Sequence, residues 1–69
     1  MEVNIANVGD LIELKREVWE LKLGIYQIIN IRPNEMLAKL IDTEDMDYKD
    51  IIGTHGLLIP KENQYYTIL

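Results

Sequence analysis

Cysteine, serine and phenylalanine are absent from this chain, and histidine and tryptophan occur once each. Without cysteine there is no disulfide to staple a small fold and no soft thiolate ligand set, a composition that fits a reducing compartment. Without serine or cysteine the common catalytic nucleophiles are gone, and Thr43, Thr54 and Thr67 have no base at motif spacing. His55, between Gly53-Thr54 and Gly56, reads as a solvated turn residue, since one imidazole makes neither a metal site nor an acid–base pair. The four glycines are scattered, and none opens a phosphate-binding loop followed by Lys-Ser or Lys-Thr. No stretch approaches the roughly 20 apolar residues of a membrane helix, and the opening MEVNIANVGD has no basic-then-apolar leader pattern. These absences point away from an enzyme, a cofactor, a metal and a membrane, and toward a cytoplasmic protein.

What is present suffices for one core. Hydrophobic residues make up 48% of the 69, far above a disordered tail, and the length sets one small domain over residues 1–69. A chain this short buries only about 60% of the surface its unfolded form exposes. The formal net charge is −5, and it is uneven: residues 1–33 hold five acidic and four basic side chains, residues 34–69 seven and three. The excess sits in Asp42, Glu44, Asp45, Asp47 and Asp50, offset by Lys49. Such a balance repels nucleic-acid phosphates. The stretch suggests a calcium loop, but its spacing fails: counting from Asp42 puts Met46 where an oxygen ligand is required, and counting from Asp45 puts Lys49 there and Asp50 where glycine belongs.

Residues 10–31 decide the fold class because they fit two periods. Leu11, Leu14, Val18, Leu21, Ile25 and Ile28 form a heptad-like stripe, and Asp10 with Glu13 resembles a helix-capping pair, so an α+β fold with a helix over 10–30 is one reading. Against it stand Gly24 inside the stripe, which costs about 1 kcal/mol relative to alanine, and the β-branched run after it. The other reading is a turn feeding a first strand over 8–14, a charged loop over 15–23 and a strand over 24–31 with Ile25, Ile29 and Ile31 on one face. Pro33-Asn34 then turns the chain into a third strand over 36–42, the acidic loop follows, 56–59 is a fourth strand, 60–63 a helical turn and 65–69 a fifth strand.

The order Val-Gly-Asp-Leu-Ile-Glu-Leu, Gly-Ile-Tyr-Gln-Ile-Ile, strand–loop–Gly, then Ile-Pro-Lys-Glu-Asn before a short aromatic strand resembles the SH3-like small β-barrels of bacterial and phage proteins. The resemblance spans nearly the whole chain. It implies a mainly β, five-stranded barrel with a helical turn before its last strand. It also places Trp19 in the first long loop, where such domains commonly carry partner-binding aromatics. Trp19 has two readings, an interface anchor or a lid on one end of a small core; Tyr48, Tyr65 and Tyr66 share the ambiguity. Alternation along a strand points Tyr65 and Tyr66 to opposite faces, so at most one is core.

The expected function is therefore an acidic protein-interaction module, working without a cofactor. Trp19, Tyr48, Tyr65, Tyr66 and the acids Asp42, Glu44, Asp45, Asp47 and Asp50 are its candidate contacts with another protein that offers a basic surface. Size and charge suggest a concrete version, a phage-encoded inhibitor of a host or defence protein acting in the infected cell. The rivals are a homo-oligomeric structural subunit and, against the charge balance, a nucleic-acid-binding barrel.

Overall fold

The computed structural model describes residues 5–19 and 21–69. Residues 1–4, read above for a leader, and Glu20 of the charged loop lie outside the described residues. The chain is mainly β. Five strands, β1 (Leu11–Leu14), β2 (Ile25–Ile31), β3 (Glu35–Asp42), β4 (Leu57–Pro60) and β5 (Tyr66–Ile68), form one antiparallel sheet in the order β4-β3-β2-β1-β5. Two short 3₁₀ turns, Lys49–Ile51 and Asn63–Tyr65, precede β4 and β5. The helical reading of residues 10–30 is overturned: the apolar stripe is split between two strands and the loop joining them. The helical turn expected over 60–63 lies at 63–65, because Pro60 ends β4 rather than starting a turn.

The sheet is not a closed barrel. Among the described residues β4 and β5 remain its two edges, so the expected closure is corrected to an open, five-stranded order. What holds it is one buried cluster in which alternate strand positions face inward. These are Ile12 and Leu14 of β1, Tyr26 and Ile28 of β2, Met36, Ala38 and Leu40 of β3, Ile59 of β4 and Tyr66 of β5, joined by Ala6 and Leu21. In β3 the helix-favouring Glu-Met-Leu-Ala-Lys-Leu is extended because Met36, Ala38 and Leu40 are each fully buried between β2 and β4.

The face assignment of β2 is also corrected. Ile25, Ile29 and Ile31 do not share the inner face; Tyr26 and Ile28 take it, while Ile29 is exposed. The cause is a bulge: Ile28 pairs with Ala38 and Asn30 with Leu37, leaving Ile29 as an extra residue. Beyond the bulge the parity flips, and Ile31, opposite the buried Met36, packs against the core. Burying a tyrosine at position 26 is allowed because its hydroxyl donates to the Lys22 carbonyl at 2.6 Å. Tyr66 is satisfied at both poles of its hydroxyl, accepting from the Ala6 N–H (3.3 Å) and donating to the Lys61 carbonyl (3.1 Å).

Candidate functional site

The connection between β1 and β2 meets the connection between β3 and β4 at one end of the sheet. Val18 and Leu21 form an isolated bridge, the Leu21 N–H donating to the Val18 carbonyl at 2.9 Å, and this tight turn carries Trp19 at its tip. Trp19 has φ 50°, a left-handed conformation that costs a residue with a Cβ about 1–2 kcal/mol, and it is 52% exposed. A bulky aromatic is thus held outward by a backbone shape that would suit glycine.

Opposite it, the β3–β4 connection is organised by its own carboxylates. Asp45 accepts from the N–H groups of Asp47 (3.0 Å) and Tyr48 (3.1 Å), an Asx-type turn that launches the 3₁₀ turn behind Tyr48. Asp42 accepts from the Thr43 N–H at 2.9 Å. The acidic stretch therefore divides. Asp42 and Asp45 shape the loop, whereas Glu44, Asp47 and Asp50 are exposed carboxylates, accompanied by a Met46 that is 75% exposed.

Between the two connections runs an apolar groove lined by Trp19, Leu21, Tyr48, Gly56, Leu57 and Leu58. Its floor is firm: Leu21 is buried, and Tyr48 and Leu57 pack against the core. Trp19 and the 41%-exposed Leu58 form its open rim. Gly56, with φ 76°, stands at its mouth and leaves open space where a side chain would be. Burial first, and then the neighbouring Tyr48 hydroxyl, hold the Tyr26 phenol well above its ordinary range, so the Tyr26 hydroxyl stays uncharged.

Thr43 ties the two walls together. It is the one buried polar residue among those described; its hydroxyl donates to the Leu23 carbonyl of the first connection (2.7 Å) and accepts from the Asp45 N–H of the second (3.2 Å). Thr43→Val keeps the shape but removes both hydrogen bonds, leaving the part-buried Leu23 carbonyl and Asp45 N–H without this partner, so we expect a loss of about 1–3 kcal/mol in a urea titration. Hydrogen exchange should rise in residues 43–48 more than in β3.

A second, wider cleft on the same two connections is lined by Glu13, Glu17, Asp42, Glu44, Asp45 and Lys15, above Leu14, Ile25 and Gly24. Among the described residues no three His, Cys, Asp or Glu side chains converge to hold a metal ion. Its nearest ion pair, Lys22 to Glu17 at 3.6 Å, is exposed and contributes little.

Of the aromatic candidates, the structure brings Trp19 and Tyr48 together and separates the others. Tyr66 is buried in the core, and Tyr65 is half-buried under the Arg16 guanidinium, 5.6 Å from its ring centre. Sequence reasoning missed Leu57 and Leu58, Gly56 and Thr43. Alternation in Leu-Leu-Ile-Pro offered a signal for Leu58, since burying Ile59 turns Leu58 outward; nothing local marked Thr43. The chain matches no family model, no curated protein and no solved structure. No helix of the described residues is long and apolar enough to cross a membrane.

Proposed function

We propose that this chain is a protein-interaction module that grips another protein through the Trp19–Tyr48–Leu58 groove. The observation that carries the reading is Trp19, a lone tryptophan kept exposed on a strained turn beside an apolar groove. Backbone strain of this kind persists where the surroundings impose it, and rigid aromatics at the edge of a desolvating groove are the usual anchors of interfaces. Glu44, Asp47 and Asp50, flanking Tyr48, steer a partner with a basic surface. The strand order, with a 3₁₀ turn before the last strand, supports kinship with SH3-like small barrels. In its concrete form the module is a phage-type inhibitor that covers a basic, nucleic-acid-binding surface of its target. Acidity and size support that form.

The test is quantitative binding to a protein captured by the wild-type chain and lost by Trp19→Ala. Replacing Glu44, Asp47 and Asp50 with their amides should lower the association rate and flatten its salt dependence, leaving the dissociation rate nearly unchanged. Unchanged salt dependence would remove the acidic loop from the interface. An assembly subunit is the second reading, favoured by exposed Leu11 and Leu69, which lie side by side where the Leu69 N–H donates to the Leu11 carbonyl at 2.9 Å. A salt-resistant oligomer of the isolated chain would favour it.

A further inference from the structure

The groove has a backbone wall as well as an apolar one. The Arg32 N–H donates to the Glu35 carbonyl at 2.8 Å, and Leu37 pairs with Asn30, so the odd residues of this part of β3 turn their peptide groups toward β2. The even ones turn toward β4. Leu40 does so visibly, donating to the Thr54 carbonyl (3.2 Å) and accepting from the Gly53 N–H (2.8 Å). Met36 then bonds with Ile59 and Ala38 with Leu57, which leaves the N–H and C=O of Leu58 facing the outer edge of the sheet. Two residues on, the same edge-facing place is held by Pro60, which has no N–H to offer. Among the described residues Leu58 is thus the edge's open donor and acceptor, and it lies on the rim of the groove.

We infer that the partner enters this groove as an extended segment that adds to the β4 edge at Leu58, alternating apolar residues with lysine or arginine. This rests on the groove reading above and names the partner's form. An exposed edge N–H and C=O are satisfied together by a strand, whereas a helix has its spare donors at one end and its spare acceptors at the other. Gly56 gives the incoming backbone room beside the strand. The residue paired with Leu58 sends its side chain to the same face of the sheet as Leu58, whose side chain lines the groove with Trp19, so it is apolar. The exposed Glu44, Asp47 and Asp50, on the connection that also carries Tyr48, favour cations elsewhere in the segment.

The probe is the pentapeptide acetyl-Lys-Val-Lys-Val-Lys-amide, titrated into the full chain while Trp19 fluorescence and the backbone amide resonances are followed. In the free protein the Leu58 amide should exchange fast and those of Leu57 and Ile59 slowly; with peptide, Leu58 becomes protected. Methylating the valine nitrogens should weaken binding roughly tenfold, as expected for losing a strand hydrogen bond, and methylating the central lysine nitrogen should not. Leu58→Pro should match the first effect with an unchanged circular dichroism spectrum, and Leu58→Val should bind like wild type. A Leu58 amide already protected in the free chain, no saturable binding, or equal effects of the two methylations would overturn the inference. Loss of binding in Trp19→Ala with full binding in Leu58→Pro would overturn strand addition and leave the groove standing. Indifference to both substitutions would overturn both.

Discussion

Trp19→Gly is expected to be more stable than Trp19→Ala by about 1 kcal/mol, reversing the usual order of the two residues. Both variants lose the indole, so they differ only in how each adopts φ 50° at the turn tip. Alanine retains the Cβ that crowds its own carbonyl in this conformation, and glycine does not. Glycine's greater freedom in the unfolded chain offsets part of the gain, by about 0.4–1 kcal/mol. The difference is read as a shift in urea midpoint at constant slope. Binding should separate from stability: both variants should lose about thirtyfold in affinity, the scale of an interface hot spot, although only one suffers in its fold. An alanine variant as stable as the glycine one would mean that the turn relaxes when the ring is removed, and that the ring itself imposes the strain.

Gly24→Ala should be the most damaging single-methyl change. Gly24 enters β2 where the chain passes against the end of β3, and a Cβ there would lie 2.6 Å from the Asp42 carbonyl oxygen and 3.2 Å from Thr43 Cβ. The first of these is backbone and cannot rotate away. Relief requires β3 to move from β2 at the point where Thr43 ties the two connections of the groove. Overpacking of this kind costs about 1–3 kcal/mol, occasionally more, against the 3–5 kcal/mol that a core of this size supplies. The thermal midpoint should fall by about 10–20 °C. Gly56→Ala is the contrast: its Cβ meets nothing, and its cost is confined to φ 76°.

Gly24 also shows why residues 10–31 read two ways. A heptad-like stripe and a pair of strands are both consistent with the positions of Leu14, Leu21 and Ile28, and all three are buried. The segment's own signals against the helix were Gly24 and the β-branched run after it, and the structure adds the tertiary reason for that glycine, the close approach of the Asp42 carbonyl. The strands and their succession along the chain were legible from turn chemistry at Gly9-Asp10 and Pro33-Asn34 and from apolar runs between them. The inner face of β2 was not, because the bulge at Ile29 breaks the period of two on which such assignments rest. Closure of the barrel was not legible either, since it depends on whether β4 and β5 meet, a contact between segments with no shared local signal. Within the site, Trp19 stood out by residue type and Tyr48 by its place among the acids. Their convergence with Leu58 needed the sheet order, which brings Trp19 and Leu21 beside Leu57 and Leu58.

Because Trp19 is the chain's single tryptophan, its fluorescence reports on the groove without a label. The most direct test follows that emission while a protein captured by the wild-type chain is titrated in. A water-exposed spectrum in the free protein that shifts to the blue and saturates with the same dissociation constant as the binding isotherm would place the indole in the interface. Saturable binding with an unmoved Trp19 spectrum would contradict it and put the contact elsewhere on the sheet.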